Sequence, residues 1–177
     1  MFSGRKNPLT VLHDGYLYAI GGDDSANEKT IERLDIDKNA WERLGTLPKI
    51  LLMEGTAFAL SSTNTLYLVG RTRVHEGQEK SLQILSLDLA KLKWRSLLLD
   101  FPISKCRIHS FKTNDSAAFL YFDKKLVRFD PTSKSIKFIK KLGFKMTERS
   151  FGSCIFKGKT LYQPVYTTKH FKPLQLI

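Results

Sequence analysis

The sequence predicts an all-β protein built from successive four-stranded antiparallel sheets, and three observations predict it. First, one frame occurs three times: a large apolar residue followed by Asp, a second large apolar residue six positions after the Asp, and an aliphatic residue three further on. It reads Leu34-Asp35, Trp41, Leu44; then Leu87-Asp88, Trp94, Leu97; then Phe129-Asp130, Ile136, Ile139. Second, each frame follows a short β-rich piece, GYLYAIGG at 15–22, NTLYLVGR at 64–71 and SAAFLYFD at 116–123, and a fourth such piece, GKTLYQPV, stands at 158–165. Third, Asp35, Asp88 and Asp130 are 53 and 42 residues apart, and several short strands inside such a period are what a propeller array shows.

Each unit supplies four strands. The first is a short apolar stretch, Thr10–Leu12, Thr56–Leu60, Ile108–Phe111 or Ser153–Phe156. The second is the β-rich piece, the third ends at the Asp, and the fourth carries Trp41, Trp94 or Ile136. β-Branched and aromatic residues suit a pleated, half-buried surface. Turn residues separate the runs: His13-Asp14-Gly15, Lys38-Asn39, Thr113-Asn114-Asp115 and Lys157-Gly158. Gly21-Gly22 fits a strand end where backbones approach closely or φ turns positive. His13 lies in a turn and is expected at the surface. Asp35, Asp88 and Asp130 lead into the turn before the fourth strand, so they are expected to accept backbone N–H groups rather than to perform acid–base work. One such sheet cannot bury both faces alone. Face-to-face packing around an axis does so, with the large residue of the fourth strand filling the space between neighbours. A β-sandwich is the alternative arrangement, but three collinear frames with matched offsets favour the propeller.

Gly21-Gly22 after LYAI, the hydrophobic-Asp step, the Trp six residues on and the Leu beyond it resemble the kelch repeat family of β-propellers. The blades fall at about 9–48, 53–102 and 107–144, with a partial one at 148–177. Gly70-Arg71, Phe122-Asp123 and Pro164-Val165 stand where the family has Gly-Gly, so the marks decay toward the C-terminus. Closed propellers have ~4–8 blades. Three units and a fraction therefore predict an incomplete kelch-like propeller segment, expected to be a fragment of a longer polypeptide. Completion by another subunit and a degenerate relic are the alternatives. Unclosed blade faces and edges invite association. The resemblance implies a protein that holds a partner protein through its loops.

Composition narrows the function classes. The chain has 177 residues, 42% hydrophobic and 26% charged, which excludes disorder, collagen and a disulfide scaffold. Cys106 and Cys154 offer neither a disulfide framework nor metal-ligand spacing, which points to a reducing compartment. No secretory signal pattern opens the sequence and no run approaches the ~20 apolar residues of a membrane span. A cytoplasmic location is expected, with the nucleus as the alternative. His13, His75, His109 and His170 show no ligand spacing, and GxSxG, P-loop and GxGxxG motifs are missing. GGDDS at 21–25 has no following Lys and no Ca²⁺-loop spacing, and reads as a strand-end turn. Some kelch-like propellers are enzymes, among them copper radical oxidases and sialic acid isomerising enzymes. The copper type needs clustered Tyr, His and Cys, which nothing here locates. A non-enzymatic module with no cofactor and no metal is expected.

The formal net charge of +12 is uneven. Residues 1–100 hold 13 basic and 13 acidic side chains, and residues 101–177 hold 16 and 4. In an antiparallel meander the connections alternate between two rims. The loops between second and third strands (23–30, 72–81) share a rim with the connections between units (49–54, 103–107, 145–149). Long loops on a rigid scaffold are where recognition sits. That rim gathers Arg71, Arg73, Lys105, Arg107, Lys145 and Arg149. Arginine forks grip carboxylates bidentately, so the expected partner is a protein offering an acidic segment, with Arg107 and Arg149 foremost. Two alternatives stand beside it. One is a fragment of a kelch-like enzyme. The other is a basic module associating nonspecifically with nucleic acid through Lys124-Lys125, Lys134, Lys137, Lys140-Lys141 and Lys145. Specific nucleic-acid binding is not expected, because Lys outnumbers Arg there and strand packing accounts for Phe138 and Phe144. No membrane partner is expected.

Overall fold

Short runs rich in apolar residues, some alternating with polar ones and some continuous, build the described strands. The computed structural model describes residues 1–2, 4–22, 29–48, 52–72, 81–102, 108–114, 117–141, 155–157, 160–162 and 173–175. The first sheet is β1 (Leu9–His13), β2 (Tyr16–Ile20), β3 (Thr30–Asp35) and β4 (Ala40–Thr46), in that order. The second is β5 (Leu52–Leu60), β6 (Thr65–Thr72), β7 (Ser81–Asp88) and β8 (Lys93–Pro102), with a 3-10 turn at Ser61–Thr63. The third is β9 (His109–Asn114), β10 (Ala117–Phe122), β11 (Lys125–Asp130) and β12 (Ser135–Lys141). β13 (Ile155–Lys157), β14 (Thr160–Tyr162) and β15 (Pro173–Gln175) form a three-stranded fourth. All neighbours within a sheet are antiparallel. First strands touch first strands, β1 on β5, β5 on β9 and β9 on β13. The sheets thus fan outward from their first strands as propeller blades, and among the described residues the fan is not closed.

The repeated frame is a repeated register. Leu34 pairs with Trp41, Leu87 with Trp94, and Phe129 with Ile136. Each pair stands one step from the frame Asp, which faces Ala40, Lys93 or Ser135.

Two apolar clusters weld the first three sheets. Between the first and second, Val11, Tyr18, Ile20 and Ile31 meet Leu66, Leu68, Leu85 and Leu87, with Trp94 and Leu44 packed alongside. Between the second and third, Phe58, Tyr67, Val69 and Ile84 meet Leu120, Phe122, Val127 and Phe129, with Ile136 and Leu97 alongside. The Phe58 and Tyr67 rings stack at 5.3 Å, and Phe129 meets Tyr67 edge-on at 5.4 Å. Each fully buried aliphatic or aromatic side chain contributes about 1.5–3 kcal/mol. Trp94 and Ile136 thus fill inter-sheet space. Trp41 shares a sheet face with Leu34 and is only half-buried.

Two expectations are corrected. His13 is not a surface turn residue: it ends β1, pairs with Tyr16 and is 6% exposed. The two-residue period of the strand explains it, since Leu9, Val11 and His13 share one face while Leu12, on the other, is 68% exposed. Phe138 is not absorbed by strand packing. It lies on β12, the outermost strand of its sheet, and is 51% exposed.

Candidate functional site

The two rims are built differently. One carries the turns between first and second and between third and fourth strands, and the frame Asp residues close it. Asp35 Oδ1 accepts the Lys38 N–H at 3.1 Å. Asp88 Oδ1 accepts those of Ala90 and Lys91, both at 3.0 Å. Asp130 Oδ1 accepts those of Thr132 at 2.8 Å and Ser133 at 3.2 Å. These N–H groups hold the Asp130 carboxyl below its ordinary value, Ser133 contributing most, and the Lys38 backbone does the same for Asp35. Adjacent turns are tied as well: Ile36 N–H donates to Gly15 O, and Leu89 N–H to Asn64 O, both at 3.1 Å. The carboxylates are occupied as turn acceptors, as their position before the fourth strand implies.

The opposite rim begins where β2 stops. Gly21 and Gly22 have φ of +60° and +137°. A Cβ on Gly22 would stand 3.0 Å from the Lys6 carbonyl oxygen. The glycine pair therefore lets residues 5 and 6 lie against the sheet end. Arg5 uses that approach. Its guanidinium donates to Gly21 O at 2.8 Å, Thr30 O at 3.1 Å and Thr30 Oγ1 at 2.7 Å. It also pairs with Glu32 Oε1 at 3.0 Å, both side chains fully buried. Glu32 Oε2 accepts the Phe2 N–H at 3.2 Å, and Arg43 approaches Oε1 at 3.8 Å while lying 5.4 Å from the Phe2 ring. Such a pair is stable only because several hydrogen bonds compensate desolvation.

The second and third blades treat the glycine position differently. β6 runs through Gly70-Arg71, which pair with Gln83 and Leu82. In the third, Phe122 pairs with Lys125 across Asp123-Lys124, both at positive φ, the mark of a tight type I′ hairpin.

Of the rim residues expected to bind a partner, Arg71 lies on β6, at the rim end of the second sheet. Arg73, Lys105, Arg107, Lys145 and Arg149 lie outside the described residues, as do Cys106 and Cys154. The Arg5–Glu32 pair is not among the sequence expectations. A signal for it exists: Glu32 stands three residues before Asp35, where the other frames have Leu85 and Val127. Among the described residues no group of three or more His, Cys, Asp or Glu side chains converges as a metal site, and no helix is long and apolar enough to cross a membrane.

A fan of four-stranded antiparallel sheets with this repeating register is a kelch-like β-propeller segment. Residues 4–48 match the family model described as the Kelch motif. A stretch of 47 residues is 43% identical to the human Kelch repeat and BTB domain-containing protein 2, covering 25% of this chain and 8% of that protein. The solved structure titled "Structure of YjhT" superposes with a TM-score of 0.68 at 12% identity, over 90% of this chain and 57% of that one. The likeness to kelch-repeat sequences thus lies in the first blade, and the likeness of fold to the YjhT structure extends over most of the chain. The chain spans a small part of the curated relative and little more than half of the structural one.

Proposed function

We propose that the chain is a non-enzymatic protein–protein interaction module, a kelch-like scaffold or adaptor that takes up an acidic segment of a partner on the rim of the longer loops. Kelch repeats generally mediate protein–protein interaction. The observation that carries the reading is the asymmetry of the rims. One is closed by Asp-capped turns, and the other receives the connections Gly21 to Thr30 and Thr72 to Ser81. No cofactor enters the reading, and the cytoplasm or nucleus suits it.

A peptide of alternating Glu and Pro tests it by fluorescence anisotropy. R107E/R149E is expected to weaken binding about tenfold or more, the effect of reversing forked carboxylate contacts. Binding unchanged by the double reversal disposes of the reading.

A further inference from the structure

The edge strand of the third blade carries features that rim docking does not use. β12 (Ser135–Lys141) stands at the end of its sheet, with β11 its one strand neighbour among the described residues. Among the described residues, no strand pairs with the backbone N–H and C=O groups of its outer side. Lys137, Lys140 and Lys141 are exposed, and Lys134 stands exposed in the turn before it. The strand itself has no acidic residue. Among the described residues the ion pairs are Arg5–Glu32, Arg33–Glu42, Lys38–Asp35 and Arg43–Glu32, so these four lysines take part in none. Phe138 and Ile139 are 51% and 40% exposed between them. The corresponding strand of the first blade is balanced, its Glu42 held by Arg33 at 2.8 Å.

Lysines on an edge strand repel another basic edge, which explains them as protection against self-pairing. That account leaves the exposed Phe138 and Ile139 unexplained. We infer that β12 accepts an acidic, extended segment of a partner protein as an added fifth strand. Main-chain hydrogen bonds supply affinity in this mode and alternate side chains supply selectivity. The lysines meet carboxylates on the incoming strand, cross-strand opposite charges being favourable, and Phe138 and Ile139 cover its apolar residues. The same lysines exclude a second copy of this chain, whose own edge is equally basic.

The experiment uses the full chain carrying R107E/R149E, so that binding at the rim is weakened and the two probes are compared on the same background. Two labelled probes are titrated: a decapeptide of alternating Glu and Val, and one of alternating Glu and Pro, equal in charge but with half its backbone donors removed. The Glu-Val peptide is expected to bind about tenfold or more tightly than the Glu-Pro peptide, because only it completes the ladder. K137E/K140E/K141E is expected to abolish that preference, and bound Glu-Val peptide slows hydrogen exchange at 135–141. Equal binding of both peptides, or tighter binding of a DNA duplex, overturns the proposal. Retention of the Glu-Val preference by the triple variant also overturns it. All substituted β12 side chains are exposed, and an unchanged urea midpoint verifies folding. The rim reading stands or falls on the Glu-Pro peptide with wild-type arginines, so the two failures are distinguishable.

Discussion

The Arg5 guanidinium and the Glu32 carboxylate meet at 3.0 Å with neither side chain exposed. Two segments far apart in sequence are thereby locked, and the one ahead of β1 is strapped across the end of the first blade. Removing one partner of a buried pair leaves the other charge without compensation, which costs about 3–5 kcal/mol. Arg5→Ala is expected to approach that range, since Glu32 sits within β3 and cannot leave. Glu32→Leu is expected to cost about 1–2 kcal/mol, because Arg5 lies outside the strands and can turn to water. Urea unfolding of both variants and of the double variant measures the coupling. Equal costs for the two single changes would contradict this asymmetry.

Asp130 links acid sensitivity to one turn. Its folded value is lowered by the N–H groups of Ser133 and Thr132. A lowered carboxyl contributes stability that is complete above the ordinary value of 3.8 and lost as pH falls through the folded value. Asp130→Asn is therefore expected to be less stable than the wild type at neutral pH, with the difference closing below pH 3.8. Urea midpoints measured from about pH 2 to about pH 7, a range that brackets the titration, verify it. A difference that persists unchanged in acid would refute the assignment.

Phe129 and Phe138 lie on paired strands and differ in burial, 1% against 51% exposed. Phe129→Ala opens a cavity against Phe58 and Tyr67 and is expected to cost about 3–5 kcal/mol. Phe138→Ala is expected to stay within about 0.5 kcal/mol. Thermal or urea unfolding compares them directly.

Gly22 tests the approach of residues 5 and 6. Its φ of +137°, and the Lys6 oxygen 3.0 Å from where a Cβ would stand, oppose any side chain. Gly22→Ala is expected to cost about 1–3 kcal/mol. Gly15, at φ +75° with open space around it, is expected to tolerate Asn, a residue at ease in the left-handed region. Urea midpoints of the two variants compare the positions.

The frame is legible in the sequence because its offsets are ladder geometry. A six-residue step from Asp to Trp41, Trp94 or Ile136 is one turn and one pairing, all local in sequence. The Asp acceptors are legible for the same reason. His13 departs from its expectation because the two-residue alternation from Leu9 and Val11 continues through it and outweighs the turn composition around it. Arg5–Glu32 leaves little trace because it joins distant segments in one blade only, where no repetition draws attention to it. The exposure of Phe138 depends on which strand is outermost, a property of the assembled sheet.

The most direct measurement is hydrogen exchange of the full chain with and without bound Glu-Pro peptide. The account predicts slowed exchange at 73–80, 103–108 and 142–149, with the Asp-capped turns at 36–39, 89–92 and 131–134 unchanged. Protection confined to those turns, or none anywhere at saturating peptide, would contradict it.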